Sequence, residues 1–443
     1  MFTPLTPPPA IIPLITCATV GVLVFLSVLI KPYVYVKGLK LGTYWLISLI
    51  GAIVLIVTGS IPLEYLAAEL TSASSINPIK ILILFFSMTS LSVFLDEVGF
   101  FRYLANLALR KTGKDQLGLF IVLYAVVSVL TVFTSNDIVV LTFTPFICFF
   151  AKRASINPLP YLFAEFIASN TWSMVLIIGN PTNIYLASAA GIDFMSYASK
   201  MLLPTFMAGA VSFAILFLIF RKELKKPIDV EVSPETVDDK AAVAVGVAHL
   251  GACTLLLAVS SYVSLEMYLI SAAFAVSLFV SVTLMTLIRK RRFAPIVASF
   301  KRLPYELIPF VLSMFVLVLS LNYSGTTYRI AALLLKGDPI YTVGISSFLT
   351  SNVINNIPMS VLFSSILSFT SGSQAHIQSV YAAIVGSNIG AFFTPVGALA
   401  GIMWASILKR FNVDFSFKKF ILYGVIVAIP TLLAALLGLT IIF

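Results

Sequence analysis

Thr134-Ser135-Asn136-Asp137 lies in the middle of a long apolar run, and Thr350-Ser351-Asn352-Val353 echoes it in another. Hydroxyls and carboxamides cost free energy in such surroundings unless they face protein or a cavity. Asn and Ser each offer donors and acceptors without a fixed charge, which suits them to hold an ion or a small polar solute. A second polar group follows each echo: Ser169-Asn170 and then Gly179-Asn180-Pro181-Thr182-Asn183, and Ser387-Asn388 and then Thr394-Pro395-Val396-Gly397. Ser169 to Gly179 and Ser387 to Gly397 both span ten residues. A weaker match, Leu95-Asp96-Glu97-Val98-Gly99 against Leu321-Asn322-Tyr323-Ser324-Gly325, precedes them, so three landmarks recur in one order at offsets of about 216 to 226 residues. The pattern predicts a duplicated domain.

An interrupted helix leaves N–H and C=O groups free, and an ion or anionic solute can satisfy them. Gly179, Gly397, Pro181 and Pro395 would let two spans unwind. Close packing and interhelical hydrogen bonds are the competing use of Ser, Asn and Gly in membrane helices, but the recurrence of Ser-Asn pairs at matched places favours a site. We therefore expect Ser135, Asn136, Ser351, Asn352, Asn180, Thr182, Asn183, Thr394 and Pro395 to contact substrate. A coupling ion, Na+ or H+, would use Asp137, Asn170, Gly179, Asn388, Gly397 and Glu165.

Carboxylates inside apolar spans are rare and usually functional. Asp137 is the first candidate for a cation or proton, with capping of the hairpin tip as its alternative role. Glu165 lies about one turn before Ser169 and either lines the same cavity or makes a buried hydrogen bond. Asp96 and Glu97, near the basic loop with Arg102, are expected in a peripheral ion pair, as is Glu306 near Arg302.

Hydrophobic residues make up 60% of the chain, charged ones 10%, and mean hydropathy is +1.05, which excludes a soluble protein. The net charge of +10 falls in short loops between apolar spans, as orientation signals do, so nucleic acid is not an expected partner. Cys17, Cys148, Cys253, His249 and His376 are too isolated for a disulfide framework or metal site. Neither a Walker A sequence nor a matched nucleophile and base is present, so the chain is not expected to be an ATPase or an enzyme of any kind. No cleaved signal peptide is expected from the proline-rich start, Met1 to Pro9.

These elements predict an all-α polytopic membrane protein: two inverted repeats, about ten transmembrane helices, two re-entrant helical hairpins and two broken helices. The first repeat is residues 1–220, with its hairpin at 116–150 and broken helix at 159–187. A charged linker, 221–240, leads to the second repeat, 241–443, with its hairpin at 340–370 and broken helix at 377–408. With both termini outside and the linker cytoplasmic, 24 of the 28 Lys and Arg residues fall in inner loops. Five crossings per half then reverse the second repeat, so the two hairpins enter from opposite sides and their tips meet near mid-membrane.

At these residues the chain resembles the ion-transporter superfamily of arsenite-efflux permeases, citrate-transporter-like permeases and divalent-anion/sodium symporters. It is most similar to the arsenite-permease branch at Phe94–Phe101, Ser135-Asn136-Asp137, Asn355-Asn356-Ile357-Pro358 and Thr394 to Gly397 leading to Trp404. The resemblance implies scaffold helices around a mobile unit that carries the hairpins, often in a homodimer, with Ser135, Asn136, Ser351 and Asn352 at the ion and substrate sites. The third position of each tip is Asp137 and Val353, where the symporters carry Thr. The expected activity is secondary active transport of a small anionic or neutral oxyacid, with arsenite or antimonite efflux first and sodium-coupled di- or tricarboxylate symport second. A channel would need a continuous pore and show no counterflow. The implied partners are the lipid bilayer, a second copy of the chain and, by resemblance to arsenical pumps, a separate ATPase.

Overall fold

The computed structural model describes residues 11–31, 33–36, 39–72, 77–112, 115–226, 237–260, 265–290, 293–334, 336–395, 397–413 and 417–443. The prolines at the start, most of the expected linker and Val396 lie outside them. A short antiparallel ribbon, β1 (Tyr33–Val36) and β2 (Leu39–Gly42), is the one sheet among the described residues.

The first half runs α1 (Ile11–Ile30), α2 (Thr43–Val57), α3 (Leu63–Thr71), α4 (Pro78–Glu97), α5 (Phe100–Thr112), α6 (Gln116–Phe133), α7 (Asn136–Arg153), α8 (Leu159–Trp172), α9 (Pro181–Ala189) and α10 (Phe194–Phe220). The second runs α11 (Lys240–Ala258), α12 (Met267–Ile288), α13 (Ala294–Arg302), α14 (Leu307–Tyr323), α15 (Thr326–Leu334), α16 (Tyr341–Ile354), α17 (Asn356–Leu367), α18 (Gln374–Gly390), α19 (Leu399–Arg410) and α20 (Phe417–Ile442). Helix starts are set by side chains that satisfy free N–H groups: Asn77 for α4, Asp115 for α6, Asp193 for α10 and Asp239 for α11.

Helix for helix, the halves match, and their packing is reciprocal. α2 lies on α14 as α12 lies on α4, α7 lies on α19 as α17 lies on α9, and α10 packs on its own counterpart α20. Paired contacts of this kind are what a two-fold relation between copies produces. At the α10–α20 crossing Gly438 meets the Pro204 backbone, where a Cβ would come within 2.7 Å of the Pro204 Cα. A small residue there lets two long helices approach closely.

Seven helices among the described residues are long and apolar enough to cross a bilayer, fewer than the ten spans expected. The difference lies in four segments. α1 enters that count only as Ile11–Ser27, although its helix runs on to Ile30, and α2 is a shorter apolar helix, Thr43–Val57. Residues 159–187 and 377–408 are divided into α8 with α9 and α18 with α19, so no continuous helix crosses there. One of the seven, α6, is a limb of the first hairpin; its 18 residues reach ~27 Å.

Three hydrogen bonds fix that hairpin. The Tyr161 hydroxyl at the start of α8 donates to Gln116 Oε1 at the start of α6 (2.8 Å), Thr144 of α7 donates to Glu165 of α8, and Asn136 at the start of α7 donates to Asn170 near the end of α8 (3.0 Å). α6 therefore runs beside α8 in the same direction and α7 returns, with the turn at the C-terminal end of α8. The second hairpin is held likewise: Ser379 at the start of α18 donates to the Pro339 carbonyl before α16 (3.4 Å), and the His376 imidazole binds the Leu367 carbonyl at the end of α17 (2.9 Å).

Two charge pairings differ from expectation. Asp96 and Glu97 are bound by Arg302 of the second half, the Asp96 contact being 2.7 Å, rather than by the nearby Arg102 loop. Glu306 is consequently free of Arg302 and accepts from the Gly42 N–H and the Tyr44 hydroxyl, both at 2.9 Å. Sequence neighbourhood suggested local pairs, whereas reciprocal packing brings the halves' charged ends together.

Candidate functional site

The site is built where α8 and α18 end. Ser173, one residue past α8, donates to the Asn388 Oδ1 near the end of α18 at 2.9 Å. The same oxygen accepts from Asn180 Nδ2 at 2.8 Å, while Asn388 Nδ2 donates to Asn183 Oδ1 at 2.7 Å and to the Ile384 carbonyl at 2.8 Å. Ser387 donates to the Thr182 hydroxyl at 2.9 Å, and Asn180 Oδ1 caps α9 by accepting from the N–H and the hydroxyl of Thr182, both at 3.1 Å. All these side chains are buried. Asn180, Thr182, Asn183, Ser387 and Asn388 thus join into one network whose carboxamides bind one another.

Between α8 and α9 the backbone leaves the helix, returning for a single turn at Ile177–Gly179. Asn183 Nδ2 bridges the gap by donating to the Ser173 carbonyl at 2.8 Å. A Cβ on Gly179 would sit 2.3 Å from that same carbonyl oxygen, which belongs to the backbone and cannot swing aside. Gly179→Ala is expected to destabilise the protein by about 3 kcal/mol, the upper end for overpacking a tight core. Gly251→Ala, where a Cβ meets nothing within 4 Å, is expected to leave the thermal midpoint unchanged. Thermal unfolding of the two variants beside the parent checks this.

The hairpin turns complete the site. In the first, the helix stops at Phe133, Thr134 and Ser135 are extended, and α7 restarts at Asn136. Asn136 Nδ2 donates to Asn170 Oδ1, but Asn136 Oδ1 and Ser135 Oγ are buried with no partner among the described residues. Asp137 lies in the first turn of α7, half-buried, and does not cap the tip. Among the described residues no hydrogen-bond donor reaches its carboxylate.

The second turn corrects the expected register. Ser351 and Asn352 are not at the tip; they belong to the last turns of α16, and the break falls at Asn355. Asn356, the first residue of α17, is the true counterpart of Asn136, and its Oδ1 is likewise buried and unpartnered among the described residues. Asn352 instead ties the second broken segment to the hairpin, its Oδ1 accepting from the Thr394 N–H at 3.1 Å and the Thr394 hydroxyl at 2.7 Å. The Asn356 N–H donates to the Gly397 carbonyl at 3.0 Å. Pro395 lies buried in this turn, next to Thr394.

Asn355 holds φ 73° and ψ 155°, a region that essentially only glycine occupies without strain. Its side chain offsets part of the cost by accepting from the Ile357 N–H at 3.4 Å. Asn355→Gly should therefore keep most of the stability, whereas Asn355→Ala should lose about 1–3 kcal/mol through both the lost cap and the forced φ. Chemical denaturation ranks the three, and an Ala variant as stable as the parent would disprove the strain.

Glu165 is placed apart from the amide network. Fully buried on α8, it accepts from Thr144 (3.3 Å to each oxygen). Phe163 and Phe166 flank Trp404, with ring centroids 5.8 and 5.2 Å away. Sequence reasoning missed Ser173, Thr144, Asn355 and Asn356 as site residues. For Asn355 a signal existed, since Asn just before an apolar run is a preferred N-cap and so marks a helix start.

The bonds of this site tie the start of α7 to the end of α8, the start of α9 to the end of α18, and the end of α16 and start of α17 to the segment that leads into α19. N-termini favour anions and free carbonyls favour cations, so the fold offers adjacent places for both. Broken helices around a buried polar centre are the arrangement from which membrane transporters build their binding sites. The chain belongs to the Citrate transporter (CitMHS) family, whose model matches residues 25–380. It is similar to the Arsenical pump membrane protein of Escherichia coli strain K12, at 27% identity over 91% of this chain and 94% of that one. The protein of the same description from Yersinia enterocolitica is 26% identical over 94% and 97%. Among solved structures the fold resembles the Alcanivorax borkumensis YdaH transporter (TM-score 0.55, 13% identity, 98% of each chain). Neisseria gonorrhoeae MtrF, described as an antimetabolite efflux pump, is comparable (TM-score 0.54, 14% identity, 99% and 95%).

Proposed function

We propose that this chain is a secondary active transporter that exports arsenite or antimonite by alternating access, coupled to Na+ or H+. The observation that carries the reading is the pair of buried carboxamide oxygens without partners among the described residues, Asn136 Oδ1 and Asn356 Oδ1, at the matched starts of α7 and α17. Buried acceptors without donors are costly, and a cation or protonated solute at each turn satisfies its oxygen. Asp137, beside Asn136, supplies the charge for the coupling ion. The neighbouring N-termini of α9 and α19 hold the substrate with Ser135, Asn136, Thr182 and Thr394. Substrate identity leans on the arsenical pump relatives, which match nearly end to end. The second reading, sodium-coupled uptake of a di- or tricarboxylate, is favoured by the family description and by the same helix N-termini.

In this reading residues 1–220 and 241–443 are inverted repeats, the termini lie outside and the linker inside, the protein works as a homodimer, and an ATPase subunit is an optional partner. Purified protein in sealed proteoliposomes tests it. Arsenite accumulation against its gradient, driven by an imposed Na+ or proton gradient and absent with citrate or succinate, is the expected result. Carboxylate flux without arsenite flux moves the assignment to the second reading, and flux without exchange or coupling defeats both.

A further inference from the structure

A separate cavity of about 200 Å³ lies between α1, α14 and the second hairpin. Its walls include Cys17, Ala18 and Gly21 of α1, Leu317 of α14, Ile354 at the end of α16 and Pro358 of α17. Every lining side chain is apolar except the Cys17 thiol, which already donates to the Leu317 carbonyl at 3.4 Å. The walls therefore offer water and polar solutes no partners, and an apolar void of this kind stays dry unless an apolar molecule fills it. Leu14 lines the cavity and is also 49% exposed, so the cavity opens on the outer face of α1. Val22, Leu23 and Leu26 continue that exposed apolar face, which in a membrane transporter is covered by lipid.

The position matters as much as the chemistry. Ile354 and Pro358 flank the strained Asn355 turn, and α1 touches this hairpin closely enough that a Cβ on Gly21 would come within 2.9 Å of the Ile354 Cγ2. We propose that the cavity binds one acyl chain of a membrane lipid, wedged between α1 and the second hairpin against the turn at Asn355. The chain is the one apolar molecule that the bilayer supplies at the mouth in excess. Bound there, it fills a void that would otherwise cost packing energy and braces the hairpin on α1.

The protein in nanodiscs containing a phosphatidylcholine with a diazirine on one acyl chain tests the proposal. After irradiation, mass spectrometry is expected to find label concentrated on Cys17–Gly21 and Ile354–Leu362, above the level at the outward-facing Val276 of α12. Ala18→Trp, which fills the cavity, should reduce that label to the Val276 level. Label that merely follows lipid exposure, that persists in Ala18→Trp, or that is replaced by crosslinks to a second copy of the chain overturns the proposal. Should Ala18→Trp fail to fold, the wild type still decides. Removing lipid in detergent should raise alkylation of Cys17 by an alkyl maleimide, and added phosphatidylcholine should suppress it, with buried Cys148 and Cys253 as internal references. Alkylation indifferent to lipid sinks the idea.

Discussion

Asn388→Leu is expected to destabilise the protein by about 2–4 kcal/mol and to abolish transport, whereas Asn170→Leu, at the matched place in the first half, is expected to cost about 1 kcal/mol. The two asparagines look alike in sequence, yet their bonds differ. Asn388 accepts from Ser173 and Asn180 and donates to Asn183, so its loss strands two buried polar atoms in the other repeat, Asn180 Nδ2 and Asn183 Oδ1, while Ser173 still donates to the Asn170 carbonyl. Asn170 makes one bond to another helix, from Asn136, and spends its own N–H on the Phe166 carbonyl one turn back. An interhelical hydrogen bond in a membrane protein contributes about 0.6 kcal/mol on average and up to ~1.7, while each buried group left unpaired costs about 1–3 kcal/mol. Denaturant unfolding of both variants in one detergent gives the comparison. Equal losses would show that the network is not anchored on Asn388.

Asp137→Asn is expected to leave the fold intact and to uncouple transport from its ion. Among the described residues the carboxylate holds no partner that the substitution would strand, and the amide is nearly isosteric. What changes is the negative charge next to the unpartnered Asn136 oxygen. Losing a direct ligand should weaken cation affinity at least by the ~10–100-fold that mutation of an indirect partner costs at metal sites. Flux in proteoliposomes should then lose its dependence on both sodium and pH, with the thermal midpoint of the ligand-free protein unchanged. Persistence of either dependence would move the coupling elsewhere, with buried Glu165 as the next residue to test.

Much of this architecture can be read from the chain, and the misreadings have physical causes. Gly179 and Gly397 mark both broken segments because no other residue fits where the backbone folds onto itself. Ser169-Asn170 and Ser387-Asn388 align correctly because they occupy the same turn of matched helices. The hairpin echo fails by a few residues, since it pairs Asn136 with Asn352 by residue type, whereas the fold pairs it with Asn356 by position at a helix start. Asn355 hides its role because an asparagine in a strained turn looks like any other asparagine. The Arg302 and Glu306 partners were illegible for a different reason: they depend on which ends of the two halves meet, a property of packing alone.

The halves share one order of helices but not one polar content. Where α9 begins with Pro181-Thr182-Asn183, α19 begins with Leu399-Ala400-Gly401, so the Asn388 clasp on the first break has no equivalent that Asn170 can form with the second. If the cycle exchanges the conformations of the two repeats, its end states are unequal in energy, and the unloaded molecule rests facing one compartment. Such a bias sets the side from which the unloaded molecule meets its ligands, while the direction of net transport stays with the gradients.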